Sequence, residues 1–257
     1  MNEFNSHERL ETILPKGNAE IIFNLTETTL FFTLNTENIN PLPRCVINGV
    51  NSIPVNLIKH GHQLFLGLQL NVFVLKFLFN VPVKEFNDRV IDGSLICKSL
   101  EPLFYQIAST SAFNDQVNYI LKWFNRKIAA VKHKTEITRV SRFYFDNEII
   151  TMKVNNICRK YNYSERHLRR LAVEWLGMNT EAFILYHKYL NALNLLHYAN
   201  LSLTEIGFYA EYYDQSHFIR EFRSFTGMTP KEYRKTMSGL PGHIYTQPLT
   251  CPNYTIL

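Results

Sequence analysis

The chain is poor in the residues that build covalent or metal-held frameworks. Its 257 residues include four cysteines, Cys45, Cys97, Cys158 and Cys251, scattered and without C-x-x-C spacing. That pattern excludes a disulfide-framed secreted module, leaves a structural zinc site without ligands, and implies reduced thiols in a cytosolic protein. Long apolar runs are missing too. The most apolar stretch, VFVLKFLFNVPV from Val72 to Val83, is too short and too interrupted to span a bilayer. The amino-terminal MNEFNSHERLE is polar and lacks a secretory apolar core. The expectation is a cytoplasmic protein with no membrane partner.

Signatures of chemistry are equally scarce. Pro15-Lys16-Gly17-Asn18 lacks the phosphate-cradling pattern of a P-loop and reads as a turn before a strand. His60 and His62 would put two imidazoles on one strand face, yet no third ligand stands near them, so no metal is expected. No glycine-elbow serine, paired catalytic carboxylate or cysteine–histidine arrangement stands out, and no cofactor is implied. The sequence offers no catalytic residue, and an enzyme is not expected.

What remains is a chain built to fold and to carry positive charge. With 46% hydrophobic and only 19% charged residues it can bury real cores, and its length suits two domains. A net charge of +5 leans toward an anionic partner such as nucleic acid.

Residues 1 to about 95 read as strands. EIIFNL, LFFTL, CVINGV, VNLIKHG and QLFLGLQL are short β-branched or aromatic runs separated by Asn, Gly and Pro signals, which predicts a compact barrel or sandwich. From about Ser94 the period becomes helical. Leu100, Leu103, Phe104 and Ile107 mark one helix, and Phe113, Val117, Ile120, Leu121, Phe124 and Ile128 a second. A stripe of this kind is most often packed within its own domain, and it is also what a dimerisation helix would show. The basic stretch 132–147 breaks that stripe and is placed as a linker. The expected fold class is therefore α+β: a β-rich regulatory domain with following helices at 1–131, an all-α domain at 148–237 and a tail at 238–257. The tail either lies free or packs back through Ile244, Tyr245, Leu249 and Leu257.

The stretch from Ser202 to Arg234 organises the all-α part. Ser202 and Glu205 form a capping box, Asp214 caps a second helix, and Gly227 followed by Thr229-Pro230-x-Glu232 stops that helix and starts another. Phe218, Phe222 and Phe225 share the inner face of the second helix, while Ser216, His217, Arg220 and Arg223 share the outer one. Two short helices joined by a tight turn have the form of a helix-turn-helix. A second copy runs from Val154 to Gly177. There Asn162 stands at the turn, Ser164 caps, Leu168, Leu171, Ala172 and Trp175 face inward, and Arg166, Arg169 and Arg170 project outward. Three guanidiniums on one face suit guanine edges or phosphates. Between the copies, about 20 helical residues from Glu181 to Asn200 would span about 30 Å, close to one turn of B-DNA.

Residues 145 to 236 resemble the DNA-binding domain of the AraC/XylS family of bacterial transcription regulators. The resemblance is carried by Ile206, Asp214, Ser216, Phe218, Arg220, Phe222, Gly227, Pro230, Tyr233 and Arg234, with Ser164, Leu168, Arg170, Gly177 and Ala192 in the first unit. It implies that Arg166, Arg169 and Arg170, then Gln215, His217 and Arg220, read bases or phosphates, with Ser216 and Arg223 as phosphate contacts and Arg234 as a structural arginine. It implies double-stranded DNA and RNA polymerase as partners, activation rather than repression, and a small-molecule effector or protein partner at the amino-terminal domain, with a homodimer as a further option. The segments ILPKGNAEIIFNL and LFLGLQLNVFVLKFLFNVPVKEFNDRVID resemble the amino-terminal domain of a group of AraC-type regulators.

Departures from the pattern keep an alternative open. Gly207 and Glu211 stand where alanine and glycine are usual, Lys188 replaces a common arginine, and Ala172 replaces a larger apolar residue. A non-glycine residue forced to positive φ at Glu211 costs roughly 1 kcal/mol. The alternative is a ligand-binding or protein-interaction module whose second helix-turn-helix no longer reads DNA.

Overall fold

A computed structural model describes residues 9–34, 38–130 and 134–246. The first part is two antiparallel sheets. Strands β1 (Arg9–Ile13), β3 (Phe31–Thr33), β4 (Asn40–Pro41) and β6 (Val55–Lys59) belong to a five-stranded sheet whose rim strand, β9 (His243–Thr246), comes from the far end of the chain. Strands β2 (Asn18–Asn24), β5 (Cys45–Asn48), β7 (Phe65–Asn71) and β8 (Val90–Asp92) form the other, in the order β7-β2-β5-β8.

The period-2 pattern of β2 explains how its sheet serves two neighbours at once. Ala19, Ile21 and Phe23 are wholly buried in the main core with the helices. Glu20 and Ile22 alternate with them and line a cavity of about 660 Å³ between the two sheets. Residues from both sheets, among them Val55, Leu57, Phe65 and Val90, give that cavity a mainly apolar wall.

Helices cover the outer face. The apolar run after β7 is not a strand continuation but helix α1 (Phe73–Phe79), which buries Phe73, Leu75 and Leu78 and ends at Asn80 in the left-handed conformation. A 3₁₀ turn (Val83–Phe86), the single-turn α2 (Gly93–Ile96), α3 (Leu100–Ala108) and α4 (Phe113–Ala129) follow. All four apolar marks of α3 are buried. The stripe of α4 is divided: Ile120 and Trp123 go inward, with Trp123 donating to Ser99 Oγ at 2.8 Å, while Phe113 and Leu121 stand 63% and 47% exposed.

Where the sequence suggests a linker at 132–147, residues Lys134–Tyr144 form helix α5. The reason is its own pattern, since Val140 and Phe143 are wholly buried and Ile137 and Tyr144 pack beside them. A 3₁₀ turn (Asn147–Thr151) then leads into α6 (Val154–Tyr161), α7 (Glu165–Leu176), α8 (Thr180–Tyr198), α9 (Leu203–Tyr209), α10 (Gln215–Thr226) and α11 (Pro230–Thr236).

One hydrophobic core runs from Leu14 to Ile244 through both parts. The loop at Pro15 to Gly17, a plain turn by sequence, is where the helices dock. Tyr189 Oη donates to the Pro15 carbonyl, Tyr144 Oη to the Gly17 carbonyl and Tyr186 Oη to the Asn51 carbonyl, each at 3.0 Å, while the Gly17 amide donates to Tyr186. Gly17 has φ +75°, and a Cβ there would strike Leu190 of α8.

The described part of the tail, up to Thr246, packs back on the protein. β9 pairs antiparallel with β1, and Ile244 is 3% exposed. Leu249, Leu257 and Cys251 lie outside the described residues. Cys45, Cys97 and Cys158 are free thiols, and among the described residues no three His, Cys, Asp or Glu side chains are grouped to hold a metal. His60 and His62 sit on a turn around Gly61, φ +67°, rather than on one strand face. No helix among the described residues is long and apolar enough to cross a membrane.

Candidate nucleic-acid interface

Two helix pairs flank α8. In the first, α6 ends at Asn162 in the left-handed conformation, φ 54°, and Ser164 Oγ accepts the His167 amide to start α7. Leu168, Ala172, Trp175 and Leu176 are buried, which turns Arg166, Arg169 and Arg170 to solvent. Leu171 is only half-buried. Among the described residues the arginines form no ion pair with a carboxylate; the contact of Arg170 is Nη2 to His167 Nδ1 at 3.4 Å. Free guanidiniums on a rigid, capped helix retain their donors for an incoming acceptor.

In the second pair, α9 begins with the Ser202–Glu205 capping box and α10 with Asp214, whose Oδ1 accepts the His217 amide at 2.7 Å. Phe218 and Phe222 are buried and Phe225 stacks on Tyr189 of α8, with ring centroids 4.7 Å apart. Gln215, Ser216, Arg220 and Arg223 are exposed, and His217 is half-buried against the Tyr212 ring. Arg234 turns inward and donates Nη2 to the Leu201 carbonyl at 2.8 Å, so it braces α11 against the end of α8.

The departures at the second turn have structural outcomes. Glu211 adopts φ 63°, the strained conformation its position demands, and the Lys188 ammonium donates to its carbonyl at 2.6 Å. Lys188 thus pins the turn from α8. Burial lowers the Lys188 pKa, with Glu211 opposing that shift. Gly207 is buried, and an added Cβ would rest at 3.4 Å from Phe218, so space alone does not demand glycine there.

Sequence reasoning missed Glu221. Its Oε1 accepts from Arg220 Nε at 3.2 Å and lies 3.8 Å from His217 Nε2, so it occupies one of the expected reading groups and stands beside another. The signal was the i,i+4 spacing from His217. Also missed was the contact of α7 with the amino-terminal part. Lys76 of α1 pairs with Glu174 at 3.1 Å, Asn87 Nδ2 donates to the Gly177 carbonyl at 2.7 Å, and Pro82 and Lys84 face Arg166, Arg169 and Arg170 across an open cleft of about 620 Å³.

Residues 157–236 match the family model described as a helix-turn-helix domain. The structural comparison extends over both parts. The chain is similar to ToxT from Vibrio cholerae O395, with a TM-score of 0.51 at 9% identity over 91% of this chain and 98% of that one. It is likewise similar to unsaturated fatty acid bound ToxT from Vibrio cholerae strain SCE256, with a TM-score of 0.50 at 14% identity, covering 93% and 99%. A 93-residue stretch is 27% identical to the HTH-type transcriptional activator RhaR of Cronobacter sakazakii (strain ATCC BAA-894), covering 36% of this chain and 33% of that protein. The chain thus spans about a third of the length of that curated relative. The likeness to ToxT concerns the fold, a β-rich part followed by helices and a double helix-turn-helix.

Proposed function

We propose that this chain is a sequence-specific, double-stranded DNA-binding transcription regulator, and an activator. The observation that carries the reading is the trio Arg166, Arg169 and Arg170, exposed on one face of the capped helix α7 in a helix-turn-helix that recurs as α9–α10. With α8 spanning about 28 Å, α7 and α10 suit successive major grooves on one face of a duplex. Arg166, Arg169 and Arg170 are proposed to read bases from α7, and Gln215, His217 and Arg220 from α10. Ser216 and Arg223 are proposed phosphate contacts. The proposed DNA-binding unit is 148–237, and RNA polymerase is the partner that activation requires.

A second reading applies to α10 alone. Glu221 engages both His217 and Arg220. A carboxylate on a reading helix repels phosphate, so α7 is proposed to dominate specificity while α10 contributes less.

For the amino-terminal part, the mainly apolar cavity between the sheets supports an effector site. The exposed Phe113 and Leu121 of α4 support a homodimer contact.

The test is selection from a random duplex pool at fixed, near-physiological salt, because phosphate binding imitates affinity at low ionic strength. The full chain should enrich one motif, and two blocks about one helical turn apart would place both units on DNA. A folded chain that enriches no motif would refute the reading.

A further inference from the structure

The carboxy-terminal strand links the two parts of the molecule: it follows α11 and closes the rim of the five-stranded sheet beside β1. Past α11 the chain turns at Gly242, whose φ of +74° favours glycine, and enters β9. Gly242 is bonded on both sides. Its amide donates to Tyr233 Oη of α11 at 3.1 Å, and its carbonyl accepts the Leu14 amide, just past β1, at 2.7 Å. Tyr233 in turn contacts His197 Nε2 of α8. Burial lowers the His197 pKa, which favours the neutral imidazole in this pair. An unbroken path of hydrogen bonds therefore runs from α8, through α11 and Gly242, to β1.

Beyond Gly242 the attachment is specific. His243, Ile244, Tyr245 and Thr246 stand opposite Ile13, Thr12, Glu11 and Leu10. His243 Nδ1 bonds Glu11 Oε1 at 2.7 Å, and Lys59 of β6 contacts the other oxygen of the same carboxylate, which is 3% exposed. A buried carboxylate held by two strands costs more to leave unpaired than an exposed one. His243, Tyr245 and Leu240 also form part of the wall of the cavity between the sheets.

We infer that β9 is a releasable latch: paired with β1, it adds to the shared core and the α8 contacts in fastening the helix-turn-helix part to the amino-terminal part and restrains DNA binding, and its release loosens that junction. The restraint acts where Arg166, Arg169 and Arg170 of α7 share a cleft with Pro82 and Lys84 of the amino-terminal part. The cavity lies on the latch, so an occupant and the latch compete or cooperate through His243 and Tyr245. The effect on DNA rests on the DNA-reading proposal above; the tether itself does not.

Two variants test it in the full chain, with Cys158→Ser and Cys251→Ser as background. The first ends the chain at Leu240 and carries spin labels on Glu101→Cys of α3 and Lys231→Cys of α11, both exposed positions. The second, made without labels, is the pair Thr12→Cys and Ile244→Cys, which stand directly opposite in the ladder and are suited to a disulfide. Truncation should broaden the label-to-label distance distribution and raise affinity for the duplex selected by the unmodified chain about tenfold, within the usual span of coupling between sites. Oxidising the cysteine pair should lower that affinity relative to the reduced form. An unchanged distance distribution on truncation overturns the latch, as does equal affinity of the oxidised and reduced pair. The cysteine pair decides the matter if the shortened chain does not fold. Should no form bind any duplex specifically, the DNA-reading proposal fails instead, and the distance distribution alone decides the latch.

Discussion

Asn87, in the amino-terminal part, donates its carboxamide to the carbonyl of Gly177, the residue that ends helix α7. A side chain 90 residues away thus caps the helix that carries the three free arginines. Asn87→Ala should cost about 1 kcal/mol, the net worth of one such bond. Gly177→Ala should cost more, because a Cβ at φ +81° would lie 2.5 Å from Asn87 Oδ1. Denaturant unfolding of both single variants and the double variant checks this. The double should fall short of the sum, since one change removes the group that the other collides with.

Arg169→Ala and Arg170→Ala should each weaken binding to the selected duplex by about 1–3 kcal/mol if the guanidinium reads a base, with relaxed preference at one position of the motif. Folding stability should stay within about 0.5 kcal/mol, because both side chains are exposed. Titration against the motif and its single-base variants is the measurement. Equal loss on every sequence, with a shallower salt dependence, would reassign the residue to phosphate.

Glu221→Gln should release Arg220 and His217 from their shared carboxylate. Affinity for the motif should rise, and Arg220→Ala should then cost more in that background than in the unmodified chain. A double-mutant cycle on DNA affinity reads the difference.

Glu211→Gly should stabilise the second turn. Relief of a positive φ of 63° contributes about 1 kcal/mol, and the greater freedom of glycine in the unfolded chain offsets part of it. The expected net gain is about 0.5 kcal/mol by denaturant unfolding. Lys188→Met should lose stability at the same turn, since the Glu211 carbonyl loses its donor.

Acid should loosen the sheet at β1. Burial acts to raise the Glu11 pKa, but the His243 and Lys59 hydrogen bonds and charges outweigh it and hold the carboxyl at about 2 rather than 4.5. Its folded pKa lies below its unfolded one, so its stabilisation is present above about pH 4.5 and is lost as pH falls through about 2. The groups facing it are Lys59 on β6 and His243 and Tyr245 on β9. Glu11→Gln should flatten that part of the stability–pH curve, measured by unfolding at a series of pH values from neutral downward.

Legibility in the sequence followed the range of the forces involved. Caps and turns depend on a few neighbouring residues, so Ser164, Ser202, Asp214, Asn162 and Gly227 could be read directly. The period of α3 was readable because all its apolar marks go to one core. The function of α4 was not, because its stripe divides between core and solvent, and only the placement of Trp123 decides which side is inward. Helix α5 was hidden by its basic residues, though its burial rests on Val140 and Phe143. The contacts that join the two parts, Tyr186 with Gly17, Asn87 with Gly177 and His243 with Glu11, couple residues between 90 and 232 positions apart. No local pattern announces them. Among the proposed site residues, exposure could be read from helical angle, whereas the capture of Arg220 by Glu221 depended on rotamers.

The strand order β4-β3-β6-β1-β9 gives β9 a further consequence. While it is seated, β1 is an interior strand with partners on both sides. Once it leaves, one side of β1 presents unpaired amides and carbonyls to solvent, a template for any extended chain that meets it. A released molecule then has reason to recruit a strand from a neighbour, and prolonged opening favours chain-to-chain sheet extension and aggregation.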